Sequence, residues 1–397
     1  MKIKYDFNSK LLENISYFSF LLFLLSATLK VVLIYYEINS FVDLTLASSF
    51  MLIVYMLANY NQMRSVNLLG SISIIIFFSF VILCCLSLSY TLSPHYSIVK
   101  TVLMSLNVVA LMYPYFNRKL DIGRLIYHLQ IIILPIVIWF IFLYNIRWTP
   151  YKYLINIDNI YLIRGVYLAL SMWLGIFILY LSRSSAGISF YKWRLLFYIL
   201  LMLLLGARGP LIFVILLTIS MNVTSIINLR FHKKDLKYLL FLIIGFLPFL
   251  IKYFNKFMSL FGFGFARFFK LFEEGGGESI KERTRLLSFS YDMIFNENII
   301  YTFFGYGIGS FSLLYQGEDI RYYPHNILVE AWFELGIIGF ILLTIFCLIP
   351  FFKKNKSKIP LTIILFLLIN SMKTSSFVDL RIMYSLISIY LVYDLYE

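Results

Sequence analysis

Six polar residues stand out in a chain otherwise suited to hydrocarbon. They are Arg208 in LLGARGPLIF, Arg285 in KERTRLLSF, and His325, Asn326, Glu330 and Glu334 in YYPHNILVEAWFELGIIGF. Guanidinium groups bind phosphate oxygens bidentately and stay charged. An imidazole titrates near neutrality and can take a proton from a hydroxyl. Asn326, Glu330 and Glu334 recur every four residues and share one stripe of a helix, with Glu330 roughly 9 Å below Pro324 at 1.5 Å rise per residue. Pro324 and Pro210 suit first helical turns, which puts His325 at the mouth of one helix and Arg208 beside the start of another. A carboxylate at the depth of Glu330 needs a polar cavity or a cation. Arg208, Lys373 and Arg381 are the cations of comparable depth. Plainer readings stand beside these. A lone interfacial histidine also serves as a hydrogen-bonding anchor, Arg208 can snorkel to lipid phosphate, and the glutamates can cap or pair with a neighbouring helix.

The elements that must hold these residues are membrane helices. Of 397 residues 61% are hydrophobic and only 14% charged, and the mean hydropathy is +0.85. A soluble fold of this length could not bury that much apolar surface. With about 20 apolar residues needed per crossing, the sequence predicts about twelve spans: 14–36, 41–60, 66–89, 98–116, 125–145, 160–181, 194–207, 209–228, 237–253, 326–351, 359–372 and 377–395. The basic, then apolar, N-terminus has no small-residue cleavage site after it and reads as a retained first helix. Cys84, Cys85 and Cys347 lie inside apolar runs as packing residues and indicate neither a disulfide framework nor a metal site.

Cation placement orients the spans. Lys2, Lys4 and Lys10 precede the first span, and Arg118, Lys119 and Arg124 follow the fourth. Arg230, Lys233, Lys234 and Lys237 follow the eighth, and Lys353, Lys354, Lys356 and Lys358 the tenth. The short loops on the other side, YYEINS and SYTLSPHYSI, are nearly uncharged. Both termini are therefore expected in the cytoplasm. The chain divides into spans one to nine (1–253), a long external loop (254–325) and spans ten to twelve (326–397). Long loops escape the charge rule, and this one mixes arginines and lysines with glutamates. Within it GGGE (275–278) reads as a hinge. Residues 280–296 place Leu286, Leu287, Phe289, Met293 and Ile294 toward one side, as in a helix lying along the outer leaflet.

FFGYGIGSF (303–311) carries Gly305, Gly307 and Gly309. No strand–turn–helix unit surrounds it, so it is not a dinucleotide fingerprint. Its physics is a backbone free to approach a ligand or a helix closely. Gly336 and Gly339 suit close helix packing. GYGIGSF followed by YPHNILVEAWFELGIIGF resembles the signature of the O-antigen ligase and polymerase superfamily, the Wzy- and WaaL-type proteins. GARGP and RTRLLSFSYDMI are similar to its Arg-Gly element and its Arg-led external helix. The specific likeness covers roughly residues 205 to 345.

That resemblance implies an all-α polytopic membrane protein, GT-C-like, with a large external loop between spans nine and ten. It implies glycosyl transfer at the outer face of the bacterial cytoplasmic membrane, from a glycan on undecaprenyl diphosphate. Arg208 and Arg285 would meet the diphosphate, with Asn326 and the three glycines lining the substrate. His325 would take the acceptor proton, and Glu330 would orient the imidazole or hold the acceptor. No Asp-x-Asp pair exists in the chain, so metal-independent transfer without a cofactor is expected. The leading expectation is a polymerase joining lipid-linked repeat units into O-antigen or capsular polysaccharide, with a chain-length regulator as a further partner and no role for nucleic acid. A ligase moving the glycan onto lipid A core is the alternative, and a transporter of lipid-linked sugars the third reading.

Overall fold

The computed structural model describes residues 2–38, 43–117, 120–146, 165–184, 189–227, 278–353 and 358–392, together with Asn159 and Ile163. Every regular element among the described residues is helical. Five helices are long and apolar enough to cross a bilayer, and six shorter apolar helices accompany them. These eleven coincide with predicted spans. The predicted span 237–253 and the loop residues from 254 to 277, including 275–277 of the predicted hinge, lie outside the described residues, while Glu278 already opens a helix. The protein is an α-helical, membrane-embedded chain.

It forms two compact units. The first comprises residues 1–30, 40–129 and 277–397. It holds most of α1 (Lys2–Tyr35), α2 (Leu44–Ala58), α3 (Leu68–Ser87), α4 (Tyr96–Phe116) and the start of α5 (Ile122–Ile146). The second, residues 31–39 and 130–276, holds α6 (Val166–Ser184), α7 (Ser189–Leu205) and α8 (Arg208–Ile227). The first unit closes with α9 (Glu278–Asn296), α10 (Ile299–Phe304), α11 (Ser310–Gln316), α12 (Ile327–Leu348), α13 (Lys358–Thr374) and α14 (Arg381–Val392).

In the second unit Leu170, Leu174, Phe177, Tyr198, Met202 and Val214 form the buried seam, and the Phe177 and Tyr198 rings lie 6.1 Å apart. In the first unit, α3, α4, α12 and α14 make the core. Phe77 sits between Phe346 and Tyr384. Ser385 bonds the Ala110 carbonyl and Asn107 the Val378 carbonyl, so polar side chains face inward, where helices are in contact. The opposite side of α3 exposes Leu68, Ile75, Ile82 and Leu86. An apolar stripe outside and small polar groups inside is the arrangement lipid selects.

Local chemistry sets the helix starts. Asp43 caps α2 by accepting from Thr45 N and Leu46 N, and Asn67 caps α3 through Gly70 N. Asn326 does the same for α12, accepting from Leu328 N and Val329 N. Consequently α12 begins at Ile327, and Pro324 lies outside its first turn. His325, just ahead of the cap, has φ 59°, a left-handed backbone uncommon for a non-glycine residue.

The apolar side of α9 is covered by protein, which corrects the expectation of a helix lying on the outer leaflet. Leu286 and Ile294 join Tyr306, Phe311 and Phe333 in one buried cluster, with Phe289 and Met293 against it. The residues expected as a free external loop are thereby bound to the first unit from 278 onward. The amphipathic period marks an apolar face but does not say whether lipid or protein covers it.

Candidate functional site

The helix carrying the polar stripe is broken. Gly336 has φ 69° and ψ −170° inside α12, so the helix consists of an N-terminal half, Ile327–Leu335, and a C-terminal half that continues to Leu348. A break inside a membrane helix frees backbone carbonyls that water does not reach. Here the glycine segment supplies the donors. Tyr306 N donates to the Phe333 carbonyl and Gly307 N to the Glu334 carbonyl, each at 2.9 Å. Gly305, Gly307 and Gly309 all have positive φ. A Cβ on Gly305 would strike the Glu334 carbonyl, and one on Gly307 the Thr91 backbone. Of the two options the sequence left open for this motif, close approach to a ligand or to a helix, the structure displays the second.

Behind this contact lies a fully buried charge cluster. Lys100, one turn into α4, points its Nζ at Glu330 Oε1 (2.5 Å) and at both Glu334 oxygens (2.7 Å each). All three side chains are 0% exposed. Glu330 also accepts from Ser376 Oγ at 2.6 Å and from Phe377 N at 3.0 Å. The ammonium sits 4.5 Å from the centre of the Phe377 ring. One cation thus ties α4, the N-terminal half of α12 and the turn at 376–379 together.

This arrangement corrects two expectations. Glu330 does not orient His325, because both its oxygens are held by Lys100, Ser376 and Phe377. Nor do the glutamates wall an open cavity, since the cluster is sealed by the elements that bond it. Pairing with a neighbouring helix, the plainer reading, is what the geometry contains. The partner is Lys100 rather than Arg208, Lys373 or Arg381. Arg381 instead donates to Ser26 Oγ and the Phe23 carbonyl. Lys100 lies near the start of the predicted span 98–116. Matching buried cations and carboxylates by depth was the signal that would have found it.

His325 lies just ahead of the N-terminal cap of the same half-helix. Its Nδ1 is buried with no hydrogen-bond partner among the described residues. Burial, reinforced by the Arg283 guanidinium, lowers the imidazole pKa below its ordinary 6.5, against the Thr374 carbonyl and Glu282, which raise it. Tyr323 meets the ring edge-on, with centroids 4.8 Å apart. Next to it, Arg321 grips Asp379 through two 2.7 Å bonds, an ion pair that holds the guanidinium pKa above its usual value.

No protein-family model and no curated protein matches the chain.

The remaining sequence candidates have separate settings. Arg285 lies on the solvent side of α9, its side chain 73% exposed and 3.8 Å from Glu282, so it can swing to a ligand. Asn326 spends its side-chain oxygen on the cap of α12. Arg208 is the first residue of α8 in the second unit, half-buried, with Pro210 in that first turn. Among the described residues no group of three His, Cys, Asp or Glu side chains could hold a metal ion. Chemically, the His325 end of the first unit offers an imidazole whose pKa is lowered and whose Nδ1 is unpartnered among the described residues and, on α9, an exposed guanidinium.

Proposed function

We propose that this protein is a membrane-embedded glycosyltransferase whose donor is a glycan on a polyprenyl diphosphate, and that it acts as a repeat-unit polymerase with its site at the outer face of a bacterial cytoplasmic membrane. The observation that carries the reading is His325, a neutral, mostly buried imidazole with an unpartnered Nδ1, held in a left-handed backbone at the mouth of a broken membrane helix. Strained backbone at such a position is retained where the surroundings over-determine it.

In the proposed reaction the acceptor sugar hydroxyl gives its proton to His325 Nδ1. Its oxygen forms the new bond to the anomeric carbon, and the old C–O bond breaks with its electron pair leaving on the lipid diphosphate. Cations facing that leaving group lower the barrier. The diphosphate-binding roles of Arg285 and of Arg208 rest on the resemblance and on guanidinium chemistry. The count of about twelve spans, the cytoplasmic termini and the GT-C-like architecture belong to the same proposal.

The test is polysaccharide synthesis in a deletion strain carrying His325→Ala. Loss of a proton acceptor is expected to cut the rate by roughly 10²–10⁴-fold, and unchanged long-chain polysaccharide would sink the assignment. The deletion strain itself separates the reaction classes. Single repeat units capping the core mark a lost polymerase, and long chains stranded on the lipid carrier mark a lost ligase.

A further inference from the structure

α10 is built the wrong way round for a surface that faces water. None of its six residues, Ile299–Phe304, is buried. Ile299, Ile300, Tyr301, Phe303 and Phe304 are 39–68% exposed. Its polar groups, by contrast, are spent on protein. Asn298 caps the helix at Ile300 N, and Thr302 Oγ1 donates to the Ile294 carbonyl at 2.6 Å. At the other end Gly305 N donates to the Tyr301 carbonyl, Trp332 Nε1 to that of Thr302 and Tyr90 OH to that of Phe304. Single exposed apolar residues are ordinary, but a contiguous row of them on a helix with satisfied carbonyls is a contact surface. α9 differs, because its apolar side is already covered by protein.

The apolar row continues ring to ring onto the membrane helix beside it. Phe295 meets Trp332 with centroids 5.1 Å apart, and Trp332 meets Phe340 at 5.0 Å. Around Phe340, α12 exposes Ile338, Ile341 and Ile345, and α12 is one of the helices long and apolar enough to cross a bilayer. The exposed side of α9 changes toward α10 in the same sense, with Lys281 and Arg285 first and Tyr291 and Phe295 last. Asn296, Glu297 and Asn298 then make an exposed polar turn, with Asp292 bonded to Asn296. Carboxylates belong among headgroups and not in hydrocarbon, so this turn limits the depth, and tyrosine and tryptophan favour the same level. We infer that α10 is an interfacial phospholipid anchor. Its polar turn lies at the headgroups, and its apolar side chains enter the acyl chains of the leaflet nearest the start of α12. The contact is independent of the proposed reaction and requires only that α12 cross a bilayer.

The experiment places the photocrosslinker p-benzoylphenylalanine in turn at Ile300, Phe303 and Phe304 of the full chain, in vesicles of phosphatidylethanolamine and phosphatidylglycerol. After illumination each labelled peptide is expected to gain the mass of one phospholipid, as a label at Ile341 on α12 should. A label at Lys281, at the charged start of α9, should gain none. All five side chains are exposed, so each variant is expected to fold, and a melt near the native temperature checks it. Crosslinks from α10 to residues 237–277, or to a second copy of the chain, would overturn the inference by showing that protein covers the face. Phospholipid on Ile341 but on none of the three α10 positions would overturn it too, with water as the neighbour. Equal phospholipid yield at Lys281 would do the same, because the contact would not then belong to α10. Since the readout is an adduct and not polysaccharide, its failure is distinct from failure of the proposed reaction, which His325→Ala tests alone.

Discussion

Gly305 and Gly336 meet backbone to backbone, each with positive φ, and neither has room for a Cβ. The carbonyl of Phe303 and the amide of Phe304 occupy the space a side chain on Gly336 would need. This contact lets the glycine segment reach the carbonyls freed by the break in α12. Gly336→Ala therefore combines a strained backbone with a steric conflict that no rotamer relieves, and a loss of about 3 kcal/mol or more follows. Gly305→Ala should behave alike. Thermal unfolding in detergent measures both, and Gly209→Ala, with open space around it, is the matched control that should melt near the native temperature.

Lys100 offers a second stability prediction. Lys100→Met removes the one cation facing two fully buried carboxylates and should cost about 3–5 kcal/mol. Combining it with Glu330→Gln and Glu334→Gln takes the uncompensated charges away and should recover much of that loss, as buried ion clusters often tolerate neutral replacement. A melt in which the triple variant is less stable than Lys100→Met would show that the cluster stabilises by more than charge balance.

These two features mark where the sequence was legible and where it was not. Spans such as 66–89 and 98–116 were readable because hydrocarbon length and composition set them, and they fall on α3 and α4. The need for a partner to Glu330 was readable from its depth. Lys100 as that partner was not, since 230 residues separate them and a lysine near the end of an apolar run looks like an ordinary flank. Likewise Gly305 and Gly336 each announced a close approach, but only the fold pairs them. The break in α12 was hidden because LGIIGF continues the apolar pattern on both sides of it. The apolar face of α9 was visible while its cover, Phe333 and Phe311, was not.

Asp319 predicts a cap supplied from a distance. Its carboxylate accepts from Ser93 Oγ and from the amides of His95 and Tyr96 at the start of α4. Burial alone would raise its pKa, but these three bonds outweigh it and hold the carboxyl below its ordinary value of 3.8. With the folded value depressed, its stabilising contribution is complete above the unfolded pKa and fades as pH falls through the folded one. Asp319→Ala should destabilise the protein by about 1–2 kcal/mol near neutrality, and Asp319→Asn, which keeps one acceptor, by less. Melts above and below pH 4 should show the Asp319→Ala difference shrinking on the acid side.

His325 gives the prediction that bears most directly on function. Burial first, and the Arg283 guanidinium second, push its pKa below 6.5. For a histidine so shifted, the unfolded chain binds more protons than the folded one between the two values, so stability is fully present above about pH 6.5 and lost as pH falls toward the folded pKa. In the proposed reaction the same shift keeps the imidazole available as the base above about pH 6.5. Glycan transfer from a lipid-linked repeat unit should therefore be flat above about pH 6.5 and fall along an acid limb whose midpoint lies below that value. Arg283→Ala removes a nearby cation and should move the midpoint up toward 6.5, and added salt should move it the same way by screening. A native midpoint at or above 6.5, or one that Arg283→Ala leaves in place, would remove His325 as the group that accepts the proton.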